Sequence, residues 1–285
     1  MSASLSPNST EFELSDEAFA RIQVLLKQRS GIDLGPGKRM LVYGRLARRL
    51  RALRLSSFSE YLDLVDDPAS EEARHFLNAC TTNVTELFRE PHHFEMLTNR
   101  AIPEALGRSR ERKIRVWSAG CSTGEEPYSI AISLHEAGLV NGYDVKVLAT
   151  DIDSDVLAHA ERGVYAADKV GKLKPAQRRY FQRGLAEKSN LARVRPDLKS
   201  IIRFRQLNLM NEWPMSGRFD VIFCRNVVIY FDTPTRERLV RRFCSLLHPG
   251  GYLFMGHSES LTAGSATELV PCGKTAYRKP AEDDE

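Results

Sequence analysis

Apolar residues at helical spacing govern the first third of the chain. Ser15 stands where a cap would begin a helix with Asp16 and Glu17 in its first turn. Phe19, Ile22, Leu25 and Leu26 form its apolar face, and Gly31 is its expected stop. A second helix follows "GIDLGPG": Val42, Leu46, Leu50 and Leu53 fall on one narrow stripe, so Arg45, Arg48, Arg51 and Arg54 are expected to project away from it. Helical patterning continues through "SFSEYLDLVD" and "EEARHFLNACTTN". The pattern predicts a polar tail over 1–12, a small all-helical domain over 13–90 and a linker over 91–112.

Beyond Arg112 short apolar runs alternate with helical stretches: "KIRVWSAG", "EPYSIAISLHEAG", "YDVKVLATDID", "SDVLAHAERG". The order is β-α-β-α. "FDVIFCRNVVIYF", the helix "TPTRERLVRRFCSLLHPGG", the strand "YLFMGHSES" and a last strand near "TAYRK" follow. Runs such as Val221 to Cys224, apolar without alternation, suit strands buried on both faces, so 113–285 is expected to be an α/β domain with a parallel sheet between helices. Between Gly163 and Gln206 the chain is basic and irregular, and reads as an inserted subdomain of short antiparallel strands that includes "SIIRFRQLNL".

The 285 residues, 42% hydrophobic and 27% charged, fit a globular chain of about two domains. No run is long enough to cross a bilayer, and the opening residues lack the basic and apolar regions of a secretion signal, so a cytoplasmic protein is expected. Cys80, Cys121, Cys224, Cys244 and Cys272 are scattered without a C-x-x-C pair, favouring core thiols over zinc or disulfides; no metal is expected. The net charge of +4 is unevenly spread: from Arg21 to Leu55 Asp33 is the only acid in a run of lysines and arginines, a surface suited to an acidic partner.

The chemistry concentrates in "VWSAGCSTGEEPYSIAI", Val116 to Ile132. In open α/β sheets the first strand-to-helix turn holds the ligand, and Gly120 and Gly124 permit close backbone approach. Asp151, ending the next strand in "LATDID", stands where a carboxylate binds two ribose hydroxyls, in nicotinamide and S-adenosylmethionine folds alike. A dinucleotide turn would read G-x-G-x-x-G; here it reads G-x-x-x-G followed by Glu125 and Glu126, which would repel a pyrophosphate. S-adenosylmethionine, with its ammonium and sulfonium, suits such carboxylates. Acids in a helix's first turn are favoured by the helix dipole in any case, so this feature alone leaves both readings open.

Together with "TTNVTELFREPHHF", "LATDID", "RRYFQRG", "LARVRPDL", "FDVIFCRNVVIYFD" and "LHPGGYLFMGHSESL", that stretch resembles the CheR-type chemotaxis receptor protein-glutamate methyltransferases over nearly the whole chain. The resemblance implies a Rossmann-like S-adenosylmethionine-dependent domain with a small antiparallel insert, preceded by an all-α domain that docks on the cytoplasmic helices of chemoreceptors. It implies transfer of a methyl group to receptor glutamates, giving methyl esters and S-adenosylhomocysteine for sensory adaptation. It carries over Asn83, Thr85 and Arg89 as cofactor contacts from a segment folded over the site, with Arg89 able to pair the methionine carboxylate. Glu125, Asp151 (ribose), Asn208 and Leu209 (adenine region), Arg225 and Asn226 are carried over likewise, and Tyr230, with Arg89, as a candidate catalytic residue on the acceptor side.

The position after the fourth strand supports a carboxylate acceptor. Enzymes that methylate amino groups commonly carry D/N-P-P-Y there; this chain has "CRNVVIYF". A glutamate with a reference pKa near 4.3 is ionised at neutral pH and needs no general base, so orientation and exclusion of water are the protein's task. In some members the insert adds a receptor's C-terminal peptide as a strand, and Arg193, Arg195, Arg203 and Arg205 alternate with apolar residues as such a surface requires. A monomer with no nucleic-acid partner and no membrane insertion is expected. The competing readings are a nicotinamide-dependent oxidoreductase, which the missing G-x-G-x-x-G disfavours, and a nucleic-acid binder using its basic helices, which would bind in a salt-dependent way.

Overall fold

The computed structural model describes residues 11–108, 112–261 and 268–281, in two compact units that divide between Thr82 and Asn83. Most of the expected tail, residues 1–10, lies outside the described residues.

In the first unit, helix α1 (Asp16–Ser30) begins at Ser15, whose hydroxyl accepts the Ala18 N–H, and ends at Gly31, left-handed at φ 75°. Its buried Phe19, Ile22, Leu25 and Leu26 meet Val42, Leu46 and Leu50 of α2 (Arg39–Leu53), and helices α3 (Phe58–Val65) and α4 (Glu71–Cys80) add Phe58, Tyr61, Leu62 and Phe76 to one core. Leu53, expected on the buried stripe, is exposed, because Arg54 ends the helix in the left-handed region (φ 56°). Arg45 also departs from expectation. Its guanidinium turns inward and donates to the Cys80 and Thr81 carbonyls at 3.0 and 2.7 Å and to the Thr82 hydroxyl at 3.2 Å. The unpaired carbonyls and negative dipole end of α4 draw it there. Arg49 makes a two-point pair with Glu72, while Arg48, Arg51 and Arg54 remain exposed.

The second unit starts with the segment 83–91. Where the sequence pattern suggests a linker over 91–112, the chain instead forms α5 (His92–Met96), a π turn (Leu97–Ala101) and α6 (Ile102–Arg108). Phe94, Leu97, Ala101 and Ile102, spaced by three, four and one, are buried in the main core. That spacing is an apolar helix face.

The α/β order follows: β1 (Lys113–Ala119), α7 (Glu125–Glu136), β2 (Asp144–Asp151), α8 (Ser154–Arg162), β3 (Val164–Ala166), α9 (Ala167–Gly171), α10 (Pro175–Arg178), β4 (Phe181–Arg183), β5 (Leu191–Val194), α11 (Pro196–Ser200), β6 (Ile202–Gln206), β7 (Phe219–Cys224), α12 (Thr233–Leu246), β8 (Leu247–Met255), β9 (Val270–Gly273) and β10 (Ala276–Arg278). The seven-stranded sheet has the order β6-β2-β1-β7-β8-β10-β9. Its first five strands are parallel, and β10 runs antiparallel to β8 and β9. Strand order reverses between β1 and β7, so the crevice at their carboxyl ends is the topological switch point.

The insert is a separate antiparallel sheet of order β3-β5-β4. Strand β6, expected in that insert, instead lies parallel to β2 in the main sheet, Val147 opposite Ile202 through Asp151 opposite Gln206. Alternation of Ile202 and Phe204 with exposed Arg203 and Arg205 specifies a strand with one buried face, which an edge of either sheet satisfies. Of the four arginines, Arg193 alone lies on an insert strand; Arg195 precedes α11. All five cysteines are free, and four are buried. Among the described residues no helix is long and apolar enough to cross a membrane.

Candidate active site

The turn after β1 brings the chain to the switch point. Gly120 (φ 81°) lies directly under Val227, where a side chain would collide, and the N–H groups of Gly120 and Cys121 donate to the Thr150 carbonyl at 2.8 and 2.9 Å. Ser122 is left-handed at φ 49°, which turns its N–H onto Asp151 Oδ2 at 2.8 Å. Gly124 (φ 95°) opens α7. A Cβ there would stand 2.7 Å from Ala160 Cβ and 2.9 Å from the Tyr165 hydroxyl, which itself donates to the Thr123 carbonyl at 2.8 Å. Gly124→Ala therefore combines a strained φ with overpacking and is expected to destabilise the second unit by about 1–3 kcal/mol and weaken ligand binding at the turn; urea unfolding and calorimetry check both.

Asp151 ends β2 and is 7% exposed. Burial pushes its pKa up to about 6, although the N–H groups of Ser122 and Asp153, at 2.8 and 3.0 Å, each bond one oxygen and oppose the shift. A carboxylate offers about four lone-pair positions, so acceptor capacity remains for a ligand hydroxyl. The segment 83–90 is latched beside it. Asn83 Nδ2 donates to Asp153 at 2.8 Å, Ser122 Oγ donates to the Asn83 carbonyl at 3.0 Å, and the Phe88 N–H donates to Ser129 Oγ at 2.9 Å. Thr85 and Arg89 are half-buried in that segment, with Arg89 Nη1 donating to the Val84 carbonyl at 3.2 Å. After β6, the Leu207 N–H bonds the Asp151 carbonyl at 2.9 Å, which brings Asn208 and buried Leu209 next to the end of β2.

The two acids of α7 have different partners. Glu125, 1% exposed, accepts from the Thr123 hydroxyl at 2.6 Å and from Lys169 of α9 at 3.5 Å, which joins the insert to the turn. Glu126 accepts from Ser118 at 2.7 Å and pairs with Arg225 at 3.1 Å; burial raises its pKa against the pull of that guanidinium. Neither is the free charge that the adjacent pair suggests in the sequence. Arg225, carried over as a cofactor contact, is itself 6% exposed: it bridges Glu126 and Glu90 (3.3 Å), donates to the Arg89 carbonyl and lies over the Phe94 ring. Burial raises the Glu90 pKa, but Arg225 and two bonds from His257 outweigh it and the net shift is downward. Glu90, His92 and His93 have ligand atoms within 4.8 Å of one another, yet Arg225 already supplies Glu90 with its counter-charge, and burial, followed by that same charge, lowers the His93 pKa to about 4. This reads as a neutral His93 beside an ion pair.

Asn226, left-handed at φ 61°, lies two residues beyond β7, and the helical turn Val228–Tyr230 follows with Tyr230 half-buried. The structure thus gathers Asn83, Asp151 and the residues after β6 around the turn, with Arg225 and Asn226 at the end of β7. Sequence reasoning missed two residues: Glu90, which completes the ion pair, and Glu259, which accepts three backbone N–H groups beside Asn226. Both lie inside motifs quoted above, but nothing in a sequence marks which acid of a motif is buried.

A two-glycine turn with left-handed residues, a buried carboxylate with acceptor capacity to spare and no pyrophosphate fingerprint fit an adenosine ligand carrying positive charge. Comparison with known proteins gives the same answer. Residues 17–81 match the family described as CheR methyltransferase, all-alpha domain, and residues 83–277 match CheR methyltransferase, SAM binding domain. The chain belongs to the CheR methyltransferases. It is similar to the chemotaxis protein methyltransferase of Klebsiella aerogenes, 48% identical over 96% of this chain and 93% of that one, and to that of Escherichia coli, 47% identical over 87% and 86%. As a CheR methyltransferase it uses S-adenosylmethionine, and the all-α domain, the mixed α/β sheet and the small antiparallel sheet are those the resemblance implies.

Proposed function

We propose that this CheR methyltransferase esterifies glutamate side chains on the cytoplasmic helices of chemoreceptors, releasing S-adenosylhomocysteine. The segment after β7 carries this reading: Asn226 and Tyr230 stand on a left-handed residue and a helical turn, without the D/N-P-P-Y that aligns an amino lone pair. The names of the chemotaxis relatives supply the context. When bound, S-adenosylmethionine supplies the electrophilic methyl carbon. Asp151 then holds the ribose, Asn208 and Leu209 border the adenine, and Asn83, Thr85, Glu125 and Asn226 complete the contacts. Arg89, whose main-chain carbonyl Arg225 holds, pairs with the methionine carboxylate. Tyr230 faces the acceptor. No side chain need remove a proton, since the acceptor is already ionised at neutral pH.

The exposed Arg48, Arg51 and Arg54 suit docking on acidic receptor helices. The free edges of the insert sheet suit the addition of a receptor C-terminal peptide as a strand, with Leu185 exposed between β4 and β5. On this reading the protein works in the cytoplasm as a monomer. The test uses receptor-containing membranes and cofactor labelled in its methyl group. Label that leaves as methanol in mild alkali is the expected result; label that stays on the receptor would exclude an ester.

A further inference from the structure

The loop Asn226 to Tyr230 bears both the cofactor-side and the acceptor-side residue, so something must hold its shape. Its first residue is left-handed, a conformation that costs an asparagine less than most residues but still needs support. Val227 presses on Gly120. The main support is a carboxylate from a different strand end: Glu259, in the turn after β8, is 4% exposed and accepts the Asn226 N–H at 2.7 Å and the Ile229 N–H at 3.2 Å. It also accepts the Gly256 N–H of its own turn at 2.7 Å, while the Glu259 N–H returns to the Gly256 carbonyl at 2.9 Å. Gly256 is required by the same packing, because a Cβ there would stand 2.5 Å from Asn226 Nδ2 and 2.7 Å from Glu259 Oε2. A buried carboxylate that accepts three N–H groups is a strong anchor, since charge-assisted bonds exceed neutral ones and each abandoned donor would be left without a partner.

We infer that Glu259 is a positioning residue for methyl transfer: it fixes the Asn226–Tyr230 loop against the strand-end crevice and touches neither substrate nor cofactor. The inference rests on the reading of Asn226 and Tyr230 as site residues. A glutamine at this position keeps the shape but offers one acceptor oxygen and turns an NH₂ toward backbone donors, so the loop loses at least one tether. In the full-length protein, Glu259→Gln is expected to lower kcat at least about tenfold while the KM for receptor stays within about twofold, because small misplacements at a reacting centre cost rate out of proportion to binding. The comparator is Leu247→Ala, a fully buried residue at the amino end of β8, opposite the site. It should destabilise the fold but keep kcat per folded molecule near wild type. A Glu259→Gln enzyme with kcat near wild type, or with a loss no greater than that of Leu247→Ala, overturns the positioning role. If Glu259→Gln does not fold, Ile229→Pro removes one of the accepted N–H groups, keeps Glu259 and is read against the same comparator. Asn226→Ala and Tyr230→Phe separate the two layers. If neither changes cofactor affinity or kcat, the site reading fails and this inference with it; if they impair the enzyme and Glu259→Gln does not, the positioning role alone is wrong.

Discussion

Arg225→Met is expected to lower the unfolding free energy of the second unit by about 3–5 kcal/mol, the usual cost of removing one partner from a buried charge pair. The guanidinium bridges Glu90 and Glu126, at 3.3 and 3.1 Å, and it also holds the Arg89 carbonyl. A methionine fills the volume over Phe94 but leaves two largely enclosed carboxylates, 11% and 12% exposed, without their shared counter-charge. Both tryptophans, Trp117 and Trp213, pack together in the second unit with ring centroids 4.9 Å apart, so their fluorescence in urea reports on that unit without interference from the first. The loss should shrink as pH falls, because protonation discharges Glu126, whose pKa burial already raises, and then Glu90. Adding Glu126→Gln should restore part of the stability for the same reason. Cofactor affinity should fall as well, since the segment 83–90 loses its tie to β7. A loss below about 1 kcal/mol would mean that the pair is solvated or that the acids find other partners.

That network could not be read from the sequence, although much around it could. Ser15 and Gly31 were legible because caps are local: a hydroxyl three residues before a free N–H and a left-handed glycine need no tertiary information. Strands β1, β7 and β8 were legible because burial on both faces leaves a continuous apolar run. The turn from Gly120 to Gly124 was legible because its conformation limits which residues fit. Long-range choices were hidden. Arg45 lies on the polar side of a helical wheel, yet its long side chain reaches the end of α4, and a wheel does not contain α4. The pattern of Ile202 to Gln206 fixes a one-faced strand and cannot say which sheet accepts it. Glu125 and Glu126 are adjacent letters, but successive helical residues point about 100° apart, so one meets Lys169 and the other Arg225. Glu259 is the clearest case: its role depends on the meeting of two strand ends that are 33 residues apart in the chain.

Cofactor affinity is expected to fall about tenfold between pH 7 and pH 5, with Asp151 as the cause. Its carboxyl is raised to about 6 in the folded protein by burial, above an ordinary value near 3.9 in the unfolded chain. Between roughly pH 4 and pH 6 the folded protein therefore holds a proton that the unfolded chain has released, so this group's contribution to stability declines as pH rises through that window. Binding has the opposite sign. On the proposed reading two ribose hydroxyls donate to the ionised carboxylate, whereas a protonated carboxyl presents a donor in place of one acceptor, so affinity should grow as pH rises through about 6. Calorimetric titration with S-adenosylhomocysteine at pH 7, 6 and 5 measures the slope, and Asp151→Asn assigns it. The asparagine turns an NH₂ toward the N–H of Ser122 or Asp153, so binding at pH 7 should weaken by about 1.5–3 kcal/mol, and the remaining affinity should no longer vary across the window. A folded Asp151→Asn protein that retains the wild-type pH slope would move the titration to another acid of the site. Glu126, raised by the same desolvation, is then the group to substitute next.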